Sequence, residues 1–507
     1  MNTLPNPTES QSQSVLHWIP WIWSRVLFPG QRESAQRIHW PYFAIVLLLP
    51  TLTLYPCMSF YLFEPDEGRY AEIPREMFER GEWVVPLLQS EPYLDKPPLV
   101  YWLIMGSYAI FGAHDWSARL VPALAVHGCV LLIYFFGRRR VGERSAFWGA
   151  LILYLAPGFL GMARLLILDG VLAFLVTLAM LSAYEAVASG KLSRKWWCLA
   201  AFVCGLGILT KGPIILVLVC IPLWLHGKLT KDCAVPGWRA LAGFLLIALV
   251  TALPWYIAIC LRLPEFAGYF FWEHNVMRFL DPFDHIRPIW FYLPIIAIGF
   301  LPTALLIIPF LRFLSNGSPN TGQQRPPEMG YYLLSGLWCV FFFSLSGSKL
   351  PTYILPAFPP LALAVGIFVA RTGWHRSRWT YAAATSAFAF VVVGNFFLVP
   401  WYAESRSPMN RPQQVRELCA DRDVPVLCYP RPIDSVAFYL KRDDLRNYRS
   451  KYTHKLLEEL QKQPRTVVLF SHRHSCELLK NALPENLHMT YTGPLGLCSM
   501  AVVERKE

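Results

Sequence analysis

The feature that most constrains this fold is a series of apolar runs about 20 residues long, such as Ala240–Ile259 and Ala382–Val399. A helix needs about this length to cross a hydrocarbon core that is about 30 Å thick. Of the 507 residues, 54% are hydrophobic and 16% are charged, whereas soluble domains have about 25% charged residues. The runs lack the apolar–polar alternation of a transmembrane β-barrel. The sequence therefore predicts an all-α polytopic membrane protein.

The apolar pattern predicts about 11 to 13 transmembrane helices, eleven of which can be placed along the chain. The segment Leu99–Phe111 is apolar but short, which favours a position in the membrane interface or packed below it. The predicted spans lie near residues 41–62, 118–137, 146–161, 170–189, 197–210, 213–226, 240–261, 289–311, 330–346, 353–370 and 380–400.

The distribution of basic residues predicts the orientation of these spans. With a cytoplasmic segment at 1–40, every short basic cluster falls on the inner side, as the positive-inside rule requires. The loop 64–98 and the region 403–507 then fall on the outer, periplasmic side. The net charge of +12 does not indicate nucleic acid binding, because the bases lie in short loops between spans. These inner clusters are Arg138–Arg140 with Arg144, Lys191 with Arg194 and Lys195, Lys228 with Lys231 and Arg239, Arg312 with Arg325, and Arg371 with Arg376 and Arg378.

The region 403–507 has the composition of a small aqueous α/β domain. Val424–Tyr429, Thr466–Ser471 and Ser499–Glu504 have strand patterns, and Tyr452–Gln463 has a helical pattern. Four cysteines lie there, and two disulfides could form if the compartment is oxidising. The sequence leaves their pairing open. These cysteines are Cys419, Cys428, Cys476 and Cys498.

The loop 64–98 is dense in ionisable residues, with nine acids and four bases between Glu64 and Lys96. Such groups near a bilayer are costly unless they face water, a partner or a substrate. The simplest chemical use is a site that binds phosphate and moves protons at the membrane surface. Asp66 could act as a base or cap the helix that the sequence predicts from Arg69 to Arg80.

Other polar residues fall at the outer ends of separate spans, which indicates one shared site with Asp66 and Glu67. Three of them have a structural alternative: Lys96 could snorkel, Asp169 could cap its helix, and Lys211 could anchor a turn. A His with a distant acid could bind a divalent cation. The residues are Asp95 with Lys96, Arg164 with Asp169, Lys211, His274 with Arg278, and Lys349 with Tyr353.

These motifs resemble the bacterial aminoarabinose lipid A transferases, which belong with the protein O-mannosyltransferases to the GT-C glycosyltransferases. The resemblance covers about residues 40 to 370 and departs at Gly68, where the family usually has Thr, and at Asp95, where it has Glu. The motifs are Asp66–Ile73, Asp95–Pro98, Leu165–Asp169, Leu209–Gly212, Glu273-His274 with Arg278, and Lys349–Pro356.

The resemblance implies a GT-C catalytic domain at 41–402 and an inverting transfer from a polyprenyl-phosphate sugar, such as 4-amino-4-deoxy-L-arabinose, to an acceptor such as lipid A. It implies catalytic roles for Asp66 and Asp169 and a divalent ion (Zn, Mg or Mn) on Asp95 and His274. The alternatives are transfer to a protein, a polysaccharide or another lipid, and transport of a lipid-linked sugar. The implied substrate-binding residues are Glu67, Lys96, Lys211, Arg278, Lys349 and Tyr353.

Overall fold

The protein is described here by a computed structural model that covers residues 38–230, 233–277, 285–315, 325–419 and 421–506. The predicted segment 1–40 lies almost wholly outside the described residues. The helices up to residue 406 are, in chain order, α1 (Trp40–Thr53), α2 (Asp66–Arg80), α3 (Leu99–Phe111), α4 (Asp115–Val141), α5 (Glu143–Leu155), α6 (Pro157–Ala163), α7 (Leu168–Val187), α8 (Arg194–Lys211), α9 (Ile214–Leu229), α10 (Trp238–Arg262), α11 (Tyr292–Gly299), α12 (Ile307–Ser315), α13 (Glu328–Leu345), α14 (Phe358–Arg371), α15 (Arg378–Val393) and α16 (Val399–Arg406).

The prediction of a polytopic helical protein is confirmed, and each of the eleven predicted spans coincides with a helix or a bent helix pair. Within the described ranges, seven helical segments are individually long and apolar enough to cross a membrane, and two bent pairs bring this number to nine. The other two predicted spans are α8 and α9, which have 18 and 16 residues. They are separated by Gly212 at φ 78° and Pro213, so the chain turns directly after Lys211.

Two spans are bent because their sequences interrupt the helix. The break between α5 and α6 precedes Pro157 and turns the axis by 60°, while the segment containing α11 and α12 turns by 104°. The bent segments approach each other at two glycines. A Cβ on Gly158 would lie 2.4 Å from the Cα of Gly299, so neither side could carry a larger residue without movement.

Helix α2 lies in the predicted acidic loop and begins three residues before the predicted start, at Asp66. It ends at Gly81, whose φ of 63° is a left-handed conformation that favours glycine and lets the Gly81 N–H bond the carbonyls of Met77 and Phe78. A two-stranded antiparallel hairpin follows, formed by β1 (Leu87–Leu88) and β2 (Glu91–Pro92). The short helix α3 then packs between α2 and α4.

The predicted C-terminal α/β domain is confirmed. Its five-stranded sheet has the order β4-β3-β5-β7-β6, with β3 parallel to β4 and β5, and β7 antiparallel to β5 and β6. Separate apolar cores cover the two faces of the sheet. The elements are α17 (Pro412–Cys419), β3 (Val426–Tyr429), α18 (Asp434–Leu440), β4 (Arg446–Asn447), α19 (Thr453–Lys462), β5 (Arg465–Phe470), α20 (Arg473–Ala482), β6 (Leu487–Leu495) and β7 (Cys498–Arg505).

The four cysteines of this domain are buried free thiols. They belong to the apolar cores of the sheet, and Cys419 contacts the thioether of Met500 at 3.8 Å. Disulfides, which the sequence left open, therefore do not form among them in this structure. The domain is held by its two cores, as in a soluble α/β protein.

Candidate functional site

Adjacent acids at the start of α2 have opposite environments. Glu67 is buried against Arg119 of α4, whose guanidinium lies 2.6 Å from Glu67 Oε2. Glu67 also accepts hydrogen bonds from the backbone N–H groups of Phe63 and Leu166. Burial raises the pKa of Glu67, but the charge of Arg119 and these hydrogen bonds outweigh burial and hold the pKa below its usual range. The sequence predicted Glu67 as a substrate ligand, and the structure places both of its oxygens within the protein.

Asp66, by contrast, points to solvent, with 61% of its side chain exposed. It makes no side-chain cap to α2, so the capping alternative is not what the structure contains. Arg69 lies one turn further along α2, with its Nη1 3.8 Å from Asp66 Oδ1. A carboxylate that is accessible yet close to a cation can receive a proton or hold an acceptor.

Asp95 and Lys96 lie beside this end of α2, in the segment that leads into α3. Asp95 Oδ1 accepts a hydrogen bond of 2.5 Å from the hydroxyl of Tyr269, and Lys96 Nζ contacts the Asp95 carbonyl at 3.0 Å. Tyr93 interacts with both Asp95 and Arg69, and the Arg69 guanidinium lies 5.9 Å from its ring centroid. Burial, and after it the Asp95 carboxylate, raise the pKa of Tyr93, so the phenol keeps its proton at neutral pH.

A second cluster joins three helical segments. Lys211, the last residue of α8, places its Nζ 2.6 Å from Asp169 Oδ1 at the start of α7. The same ammonium lies 4.4 Å from the ring centroid of Tyr353, in the turn before α14. The structure therefore brings together three residues that are far apart in sequence, and all three were predicted for one site.

Glu67 links the two clusters through the backbone. Its Oε1 accepts a hydrogen bond of 2.9 Å from the N–H of Leu166, three residues before Asp169. Arg164, at the start of the same connection, is buried and bonds the side-chain oxygen of Asn395. The start of α2 and the start of α7 are consequently fixed relative to each other by internal polar contacts.

Lys349 is buried, and its ammonium donates to the carbonyls of Ser346 and Arg287. Its backbone N–H also bonds the carbonyl of His285 at 3.0 Å. These contacts tie the turn before α14 to the segment 285–287. Lys349 thus holds a loop in this structure, and its predicted contact with the donor remains a prediction.

The side chains of two predicted site residues lie outside the described part of the protein. Arg278 lies outside the described residues, and so does the side chain of His274. Among the side chains that are described, no group of three or more His, Cys, Asp and Glu residues converges as a metal site would require. The divalent ion implied for Asp95 and His274 therefore remains a prediction.

Sequence reasoning missed the partners that organise these acids. These partners are Arg119 of α4, Tyr269, and Asp434 in the C-terminal domain. No sequence motif marks them, and each contacts the loop 64–98 from a distant part of the chain. Arg69 had a usable signal, because positions three apart on a helix share a face with Asp66. Gly68, where the motif departs from the family, lies directly beneath the backbone of Ser435.

The chain is similar in sequence to known sugar transferases. Residues 38–270 match the family model for dolichyl-phosphate-mannose-protein mannosyltransferases. A Yersinia pestis undecaprenyl phosphate-alpha-4-amino-4-deoxy-L-arabinose arabinosyl transferase is 35% identical over 341 residues, which cover 64% of this chain and 58% of the relative. A Pseudomonas fluorescens protein of the same name is 34% identical over 67% of this chain and 59% of its own. The chain thus spans less than two thirds of the length of these curated relatives.

The crystal structure of ArnT from Cupriavidus metallidurans bound to undecaprenyl phosphate superposes with a TM-score of 0.74 and 22% identity, covering 91% of this chain and 97% of that one. The fold is therefore that of the GT-C membrane glycosyltransferases, including the C-terminal α/β domain. The chain is therefore similar to ArnT in fold and, over about two thirds of its length, similar in sequence to the named arabinosyl transferases.

Proposed function

We propose that the protein transfers 4-amino-4-deoxy-L-arabinose, or a closely similar sugar, from a polyprenyl-phosphate donor to a lipid acceptor such as lipid A. The observation that carries the proposal is the pair of linked clusters, Asp66 with Arg69 and Asp169 with Lys211, at adjoining helix ends. The named activity of the sequence relatives supports this sugar and this class of donor.

The chemistry needs little acid catalysis, because the leaving group is a phosphate that departs as an anion. The bond from the anomeric carbon to the phosphate oxygen breaks, the phosphate keeps the electron pair, and an acceptor oxygen bonds to the anomeric carbon from the opposite side. Lys96 and Lys211 supply positive charge for the departing phosphate. Asp66 takes the proton of a hydroxyl acceptor, or orients an acceptor phosphate that is already ionised.

We further propose that the site faces the periplasm in the inner membrane. The distribution of basic loop residues supports this orientation, because the clusters of predicted inner loops lie opposite to the loop 64–98. A divalent ion on Asp95 and His274 would add positive charge for the phosphate. Dialysis against EDTA, followed by addition of Zn²⁺, Mg²⁺ or Mn²⁺ singly, tests this ion by activity.

A second acceptor class has one specific observation in its favour. The family model that matches residues 38–270 describes transferases that modify proteins. A protein acceptor would use the same donor chemistry, with a serine or threonine hydroxyl whose proton goes to Asp66. The two possibilities can be distinguished by the product, because the sugar is attached to lipid A in one case and to a protein in the other.

The experiment is a gene deletion followed by mass spectrometry of lipid A and of periplasmic proteins. We expect lipid A to lose an aminopentose-sized mass increment, which the native chain restores and the Asp66→Asn variant does not. An unchanged lipid A profile with loss of a protein glycoform would favour the protein acceptor. Full rescue by Asp66→Asn would remove the role given to that carboxylate.

A further inference from the structure

The C-terminal domain is seated directly on the first turn of α2. The N–H of Ser435, in α18, donates a hydrogen bond of 2.6 Å to Glu64 Oε1. The two backbones approach so closely that a Cβ on Gly68 would lie 2.6 Å from the Ser435 nitrogen and 2.9 Å from Glu64 Oε1. Only a residue without a side chain fits at position 68 with this docking.

The docking brings a buried acid to the catalytic end of α2. The side chain of Asp434 is only 2% exposed, and its Oδ2 lies 3.7 Å from Arg69 Nε. Arg69 Nη1 lies at a similar distance, 3.8 Å, from the exposed Asp66. One guanidinium is therefore shared between a buried acid of the C-terminal domain and the acid proposed to handle the acceptor.

We propose that Asp434 is a positioning residue for the transfer reaction, and that the C-terminal domain completes the active site by holding Arg69 away from tight pairing with Asp66. This inference rests on the proposed function and deepens it. It also assigns Gly68 the role of the contact point that lets the domain approach α2.

The physical reason is competition for one cation. A buried carboxylate is costly without an opposite charge, so Asp434 draws Arg69 toward the domain. Without that attraction, Arg69 can approach Asp66 and form a short, charge-assisted ion pair. Arg75 and Glu72, which are also three residues apart on α2, form such a pair at 2.6 Å. A tightly paired Asp66 would be a poorer base and a poorer anchor for the acceptor.

The far end of α2 provides a matched control. Arg80 of α2 forms an ion pair of 2.6 Å with Asp443 of the same C-terminal domain. This pair is also an arginine with an aspartate and also joins α2 to the C-terminal domain, but it lies at the end of α2 opposite to Asp66. Asp443→Asn should therefore report the cost of losing an inter-domain pair without an effect on Asp66.

The test uses the full chain in proteoliposomes, with a polyprenyl-phosphate aminoarabinose donor and purified lipid A as acceptor. We expect Asp434→Asn to lower kcat at least tenfold with a change in KM of no more than about twofold, and Asp443→Asn to stay within twofold in both. Because Asp434 acts through Arg69, Arg69→Gln and the double variant should have the same kcat. Equal rates for Asp434→Asn and Asp443→Asn, or multiplicative effects in the double variant, would overturn the proposal.

A second measurement does not depend on activity. Gly68→Val should loosen the domain and speed limited proteolysis between α16 and α17, whereas Gly106→Val in α3, whose Cβ would meet open space, should not. Proteolysis unchanged by Gly68→Val would refute the docking argument, even if Asp434→Asn cannot be purified. A native chain that docks normally but transfers no sugar would instead count against the proposed function.

Discussion

Helix α2 contains two regions that differ in how their charges are satisfied. In the inner region, Arg75 pairs with Glu72 at 2.6 Å, and Glu76 accepts hydrogen bonds from the backbone of Gln89 and Ser90. At the outer end, Asp66 and Arg69 are separated by 3.8 Å. The comparison teaches that a high density of acids does not by itself mark a reaction site. Most acids of this loop hold the fold, and the loosely paired ones remain available for chemistry.

The largest expected effect comes from the outer end. Asp66→Asn should lower kcat by about 10²–10⁴-fold, because a general base or an acceptor anchor is lost. The melting temperature should stay within about 2 °C, since Asp66 is exposed. Initial rates in proteoliposomes and a thermal scan measure the two quantities. Glu91→Gln, an exposed acid of the same loop, is the control and should retain native rates.

Glu67, the buried neighbour of Asp66, should respond in the opposite way. Glu67→Gln removes one partner of a buried ion pair and leaves Arg119 without its carboxylate, which typically costs about 3–5 kcal/mol. We expect a lower yield of folded protein and a lower melting temperature, measured on detergent-purified chain. A Glu67→Gln variant of native stability but without activity would make Glu67 a substrate ligand, as the sequence predicted.

The ion pair between Asp169 of α7 and Lys211 of α8 is partly buried, so it can both stabilise the fold and contact the donor. Lys211→Met leaves the Asp169 carboxylate without its ammonium and removes the charge beside Tyr353. We expect the KM for the donor to rise about tenfold, in line with about 1.5–3 kcal/mol for a hydrogen bond to a charged group. The conservative Lys211→Arg should restore part of the affinity. An unchanged KM would separate Lys211 from donor binding.

The docking contact between the two domains should depend on pH. Burial, and then the charge of Asp434, raise the pKa of Glu64, while Ser435 and Arg69 oppose this shift only in part. The thiols of Cys428 and Cys498 also interact with Glu64. The folded state therefore holds a proton that the unfolded state releases, so stability is greatest at acidic pH and falls as pH rises through neutrality.

We expect the melting temperature to decrease from pH 6 to pH 8.5, by an amount corresponding to about 1–2 kcal/mol. Glu64→Gln should flatten this dependence, because its amide keeps the size of the side chain without titrating. The measurement is a series of thermal scans at constant ionic strength. The same slope in the native chain and in Glu64→Gln would show that another group is responsible.

The smallest effect belongs to the pair at the far end of α2. Arg80 and Asp443 are both about one third exposed, and exposed pairs contribute about 0–1 kcal/mol. Arg80→Gln should change stability by less than about 1 kcal/mol and leave the rate unaffected. If Arg80→Gln lowered the rate more than Asp434→Asn does, the end of α2 near Arg80 would matter more for transfer than the end near Asp66, contrary to this prediction.

The sequence could predict the elements whose signals are local. Apolar length located the spans, the Gly212-Pro213 break placed Lys211 at a helix end, and short runs of strand-forming residues located strands β3, β5 and β7. The partners of the acids could not be predicted in this way. Arg119 lies 52 residues from Glu67, and Ser435 lies 371 residues from Glu64. A side chain of the right charge occurs in many places along such a chain, and only the folded backbone selects one.

The start of α2 shows a subtler limit. The sequence predicted a helix from Arg69, with Asp66 either as a base or as the helix cap, but the helix begins at Asp66 itself. The hydrogen bonds that Glu67 accepts from Phe63, Leu166 and Arg119 stabilise this first turn, and local helix propensity reveals none of these contacts. Tertiary contacts thus decide where the helix begins, and with it which acid is exposed.

The position of β7 in its sheet has a consequence for assembly. This strand, Cys498–Arg505, lies between β5 and β6, so the sheet is incomplete until residue 505 has been synthesised. Domains generally fold as units during synthesis. After α2 has been made, more than 400 further residues must therefore be translated before the C-terminal domain can fold against it, and a ribosome that stalls in β7 would leave a membrane-inserted chain in which α2 lacks this contact.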